Sequence, residues 1–130
     1  MPSRQSLAGL AVEQRNRLEA LLMEFEQEWC PDLLAVYSSR IEADAAGIEP
    51  GLALAELVKI DMQRCWSSGR GQSLEEYLGR FPDLGSSAEI DAELLLVEYQ
   101  SRQAVEPELD PQSYAERFPD QFEALSLIHI

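Results

Sequence analysis

The chain has 130 residues, 45% of them hydrophobic, and its 10 basic and 24 acidic residues give a formal net charge of -14. That length suits about one domain, and the apolar share supports a packed core rather than a disordered chain. So acidic a surface repels phosphate backbones and anionic headgroups, which excludes nucleic acid and membrane surfaces as direct partners and favours a basic protein patch, although solubility is the commoner role of such charge.

Residues 1 to about 10 are expected to be a flexible end. The next stretch is broken by Glu13, Arg15 and Arg17, unlike a secretory leader. No apolar run in the chain reaches the ~18 residues a membrane span requires. Leu18, Leu21, Leu22, Phe25 and Trp29 then recur at helical spacing, which predicts a first helix over 12–29, stopped by Pro31. A second is expected over 32–46, with Leu33, Leu34, Tyr37 and Ile41 inward and Gly47 as its C-cap. The third spans about 52–66 and turns Leu54, Val58, Met62 and Cys65 to one side. Ser73 and Glu76 fit a capping box for a short helix carrying Tyr77 and ending near Phe81. Ser86 and Glu89 fit another, opening a long helix over 88–105. Asp110-Pro111 is an N-cap and N1 pair for a short helix with Tyr114. Asp120 and Glu123 repeat the capping logic for a last turn holding Phe122 and Leu125. With no period-2 alternation and only short connectors, the expected fold is all-α, a compact bundle of about five to seven helices. It is read as one helical domain over 11–125.

Inside it lies a repeat. Tyr77-Leu-Gly-Arg80-Phe81-Pro82-Asp83 returns as Tyr114-Ala-Glu-Arg117-Phe118-Pro119-Asp120, five of seven positions matching at a spacing of 37 residues. Each copy comes after a long amphipathic segment bearing an arginine, Arg64 or Arg102, so a long-helix/short-helix unit is duplicated over about 54–84 and 88–120. Every position has a structural reason. Tyr and Arg three apart share a helix face. The arginine complements the negative helix end and can reach a carboxylate on the preceding long helix. Phe folds back on the core, Pro blocks further helix, and Asp caps the next turn. Phe81 and Phe118 are therefore expected to be buried, and recognition through an exposed arginine is the competing reading.

The same residues carry a resemblance. Leu57-Val-Lys-Ile-Asp-Met-Gln-Arg64-Cys-Trp66 comes first, then Leu74-Glu-Glu-Tyr-Leu-Gly-Arg-Phe-Pro82. Leu95-Leu-Val-Glu98-Tyr-Gln-Ser-Arg102 and Tyr114-Ala-Glu-Arg-Phe-Pro119 complete the set. In order and spacing they resemble the helical region N-terminal to the catalytic domain of planctomycetal-type bacterial serine/threonine protein kinases. The match covers about residues 54–125, and Leu22 to Trp29, with its Phe25-Glu-Gln-Glu-Trp29, extends it. It departs from the family in lacking the glycine usual after the second arginine, where Val105-Glu106 stands. The resemblance implies an accessory or regulatory region, with no kinase activity in this chain itself. ATP and magnesium would enter only if a kinase domain continues the chain in the full-length protein.

Catalytic constellations are missing from the sequence. Kinase chemistry needs a glycine-rich loop, a strand lysine, a His-Arg-Asp loop and an Asp-Phe-Gly site. Gly69-Arg-Gly71 lacks the third glycine, and Lys59, the sole lysine, is predicted on a helix. The only histidine, His129, has no metal-binding partner in the sequence. Glu42, Asp44 and Gly47 fail as a calcium loop because Ala46 and Ala53 occupy required ligand positions. Cys30 and Cys65 suggest no disulfide framework and hence a cytoplasmic protein. Cys30, beside Trp29, is expected to be a small buried apolar group. Residues 126–130 abandon the acidic style of the chain and resemble a translated sequencing adapter, so a non-native tail is weighed against a native apolar helix end. A chain of this kind is expected to be a non-catalytic accessory module that positions a kinase lobe in cis or docks a partner. The alternative is a stand-alone acidic helical adaptor for a basic protein.

Overall fold

The computed structural model describes residues 9–45, 47–87 and 89–129, without the side chains of residues 42, 44 and 126–129. Helices are the only regular secondary structure among the described residues, with no strand among them. Most of the expected flexible N-terminal end, the expected helix start at Ala88 and the side chains of the suspect tail lie outside them. The chain divides into two compact units, with the boundary after Asp61.

The first unit is built on α1 (Val12–Glu28). Leu18, Leu21 and Phe25 are its buried stripe, with Leu22 and Trp29 half-buried beside them. Leu10, just ahead of the helix, is also buried. The single helix expected over 32–46 is instead two, α2 (Leu33–Ser38) and α3 (Ile41–Asp44). At the break, the hydroxyls of Ser38 and Ser39 donate to the carbonyls of Ala35 and Val36, which favours a turn over a continuing helix. Leu34, Tyr37, Ile41, Ala45 and Ile48 still face inward. The rings of Phe25 and Tyr37 meet edge to face, centroids 5.0 Å apart, and the Tyr37 hydroxyl donates to Glu28 Oε2 at 2.7 Å. Cys30, expected inside, is exposed. Pro31 and the left-handed Asp32 (φ 73°) turn the chain directly behind it, leaving Cys30 on a bend rather than on a packed helix face.

Helix α4 (Pro50–Ser67) carries residues of both units. Its buried residues up to Asp61 include Ala53, Leu54, Leu57 and Val58, and those from Met62 onward are Met62 and Cys65.

The second unit continues with α5 (Leu74–Arg80), a 3₁₀ turn (Pro82–Leu84), α6 (Ala92–Val105), α7 (Ser113–Arg117) and α8 (Pro119–His129). Ser73 caps α5 by accepting from the Glu76 amide. The Ser86–Glu89 pair does form, the Glu89 carboxylate accepting from both the amide and the hydroxyl of Ser86. It closes a separate turn, and α6 begins only at Ala92, capped by Asp91 accepting from the Glu93 amide. Asp110 likewise accepts from the Gln112 amide, three residues before α7 starts in regular form. Leu74, Tyr77, Leu84, Ile90, Leu94, Leu95, Tyr114 and Phe118 supply buried apolar surface. Gln121 of α8 is buried too, its amide nitrogen donating to the carbonyls of Ser87 and Ile90.

Candidate functional site

The residues singled out by the sequence fall into three places in the second unit. Around Trp66, the indole N–H donates to the Gln72 carbonyl at 3.2 Å, and the Arg102 guanidinium lies 5.3 Å from the ring centroid. A β-carbon at Gly71 would sit 2.2 Å from the Trp66 ring, so only glycine permits this approach. Arg102 also pairs with Glu106 one turn on, at 3.1 Å. Arg64 is exposed on the preceding turn of α4.

At the second place, Glu98 of α6 is fully buried and serves as a hub. Its Oε1 accepts from the Leu74 amide at 2.6 Å and from one Nη of Arg117 at 3.0 Å, and its Oε2 accepts from the other Nη at 2.9 Å. Arg117 simultaneously grips Glu75, through Nε at 2.6 Å and through an Nη. A planar guanidinium facing two carboxylates can bind each through two parallel hydrogen bonds. The first residues of α5, the middle of α6 and the end of α7 are thereby tied together. Hydrogen bonding to Glu75, then to Glu98, raises the Arg117 pKa above its ordinary value against the opposing effect of burial. The same hydrogen bond from Arg117 holds Glu75 below the usual carboxylate range. The Arg117 guanidinium also lies 4.8 Å from the Tyr114 ring centroid and 5.4 Å from that of Phe118. Tyr114 packs edge-on against Tyr99, and its buried hydroxyl makes no well-formed hydrogen bond among the described residues. Desolvation, and after it the neighbouring Glu98, push that phenol's pKa up.

Arg80 and Phe81 occupy the third place. Arg80 is exposed, donates to Gln72 Oε1 at 2.9 Å and lies over the Phe81 ring at 5.0 Å. Phe81, expected to be buried, is half-exposed, whereas Phe118 is buried as expected. The cause lies downstream. Pro82 opens a 3₁₀ turn that ends at Gly85 with φ 96°, so it is Leu84 that fills the interior, and Phe81 stays at the rim. Pro119 instead opens α8, and the Phe122 amide bonds back to the Phe118 carbonyl, which carries Phe118 inward. Pro82, Asp83, Pro119 and Asp120 are exposed, and Tyr77 is buried.

One buried acid had a signal in the sequence that patterning alone passes over. Asp61 stands 37 residues before Glu98, the repeat spacing, and is also buried, its Oδ1 accepting from the Trp29 indole N–H at 2.9 Å. Among the described residues no group of three or more His, Cys, Asp or Glu side chains is placed to hold a metal ion, and no helix is long and apolar enough to cross a membrane. No protein-family model, curated protein or solved structure matches this chain.

Proposed function

We propose that this chain is a non-catalytic accessory module of a signalling polypeptide, the helical region that precedes the catalytic domain of a bacterial serine/threonine kinase. It would act in the cytoplasm, positioning or restraining the kinase lobe or docking a protein through its acidic surface. The observation that carries the reading is the use to which the motif residues are put. Trp66, Tyr77, Glu98, Arg102, Tyr114, Arg117 and Phe118 are taken up in internal stacking, ion pairing and core packing. Residues so used hold the shape of a scaffold whose duty is to present a surface, and a net charge of -14 favours cationic partners at long range. The alternative, a free-standing acidic adaptor for a basic protein, rests on the same charge.

Titrating the purified chain into the kinase lobe encoded by the same reading frame tests the proposal. Saturable binding together with a changed phosphorylation rate is expected. A lobe that neither binds nor responds, or a reading frame with no such lobe, would leave the adaptor reading in its place.

A further inference from the structure

Arg80 and Arg117 leave the chain from nearly the same local backbone. Phe81 has φ -129° and ψ 84°, Phe118 has φ -140° and ψ 71°, and each amide bonds back to the motif tyrosine's carbonyl at 2.9 Å. Around Arg117 the protein supplies two glutamates. Around Arg80 it supplies a neutral amide, that of Gln72, and among the described residues no carboxylate pairs with it. The guanidinium lies on the half-exposed Phe81 ring, displaying an arginine and an aromatic side by side. These are residue types enriched at the energetic centres of protein interfaces.

We propose that the Arg80–Phe81 corner is a docking surface for an acidic segment of a partner protein. The segment's carboxylate would take the place at Arg80 that Glu75 and Glu98 fill at Arg117, and an apolar side chain beside it would cover Phe81. The second copy of the motif is the template, because it shows what this arginine binds when the group is supplied. Arg80, the cation of this corner, is opposite in sign to the acidic exterior of the chain, and Glu76 and Asp83 nearby are exposed. With the whole chain at -14, long-range steering of an acidic segment is unfavourable. Affinity must therefore come from the short-range guanidinium fork and from contact with Phe81, and specificity from the scarcity of such a spot on an acidic surface.

The test uses the full chain, labelled with ¹⁵N, and a blocked hexapeptide of alternating glutamate and leucine, with a glutamine–leucine hexapeptide as control. The glutamate peptide is expected to shift the Arg80 side-chain Nε–H signal and the backbone amides of residues 78–85. Replacing Arg80→Gln is expected to weaken binding about tenfold or more, with Arg80→Lys restoring only part. Arg70→Gln, an exposed arginine upstream, leaves the affinity unchanged. Thermal melts establish that Arg80→Gln is folded, since it removes one exposed hydrogen bond, and Phe81→Leu provides a second weakened variant. Absence of binding, equal binding of the glutamine peptide, or full affinity in Arg80→Gln overturns the proposal. Tighter binding of a phosphoserine hexapeptide would overturn the carboxylate assignment. Self-association abolished by Arg80→Gln would make a second copy of this chain the occupant and overturn the separate partner.

Discussion

The two copies of the motif share five of seven residues and one local backbone, yet one ends inside the protein and the other at its surface. In the second copy, Arg117 is half-buried between Glu75 and Glu98 and Phe118 is 1% exposed. In the first, Arg80 is exposed and Phe81 stays at the rim. The five shared residues by themselves therefore do not decide the outcome. What decides it is the neighbourhood: a carboxylate at Glu98 with α5 leading up to it, and a helix rather than a 3₁₀ turn after the proline. A sequence motif can thus be structural in one copy and available for recognition in the other.

Substitutions that treat the copies alike should expose this asymmetry. The largest effect is expected for Arg117→Met, which leaves Glu98 buried without its cation and should cost about 3–5 kcal/mol in urea melts. Arg80→Met should stay within about 0.5 kcal/mol of wild type, as exposed substitutions do. Equal losses for the two would mean that the copies are equivalent in solution. Phe118→Ala is next, at about 3–5 kcal/mol, while Phe81→Ala should cost about half of that because its ring is only partly removed from water.

Two glycines extend the comparison. Gly71→Ala drives a methyl into the Trp66 ring and should destabilise by about 1–3 kcal/mol, with a change in indole fluorescence marking the displaced ring. Gly79→Ala lies within α5, where an added β-carbon meets nothing within 4 Å and where the second copy has Glu116. It should stabilise by about 0.5–1 kcal/mol.

The smallest effect is on pH dependence. Because Arg117 lowers the Glu75 pKa in the folded state, the ion pair contributes stability above the ordinary carboxylate value. That contribution is lost as pH falls through the lowered one. Melts of Glu75→Gln across pH 2 to 6 should show a flatter acid limb than wild type, and unchanged curvature would assign the acid sensitivity to other carboxylates.

Much of this architecture was legible in the chain. Apolar residues at helical spacing located α1, α4 and α6, whose stripes Leu18–Leu21–Phe25 and Leu54–Val58–Met62 are long enough to fix a period. The capping serines and aspartates mark turns well, but helix starts less well. Ser86 and Glu89 satisfy each other three residues before α6, which shows that a local hydrogen-bond pattern can be complete without launching a helix. The break between α2 and α3 escaped because serine side chains competing for carbonyls barely alter the apolar pattern. The arginine clamp was half visible. A carboxylate on the preceding long helix was within reach by spacing, and Arg117 does meet Glu98 there. Which of the 24 acids would be buried was not visible, since most acidic side chains on such a chain are solvated. The repeat spacing, extended from the motif to the long helices, aligns Asp61 with Glu98 and would have marked both. The rim position of Phe81 depended on the fold of residues 82–85, which the matching Phe-Pro-Asp sequence does not distinguish from 119–122.

The bond from the Leu74 amide to Glu98 has a kinetic meaning. The first amides of a helix have no partner within it and ordinarily trade their hydrogens with water quickly. This one is capped from inside the protein by a carboxylate that Arg117 also holds. It can exchange only when α5 lifts away from α6, so its rate should follow the opening of the second unit as a whole rather than fraying of a seven-residue helix. A single amide at the edge of a short helix thus becomes a clock for the cooperative unfolding of everything the clamp ties together.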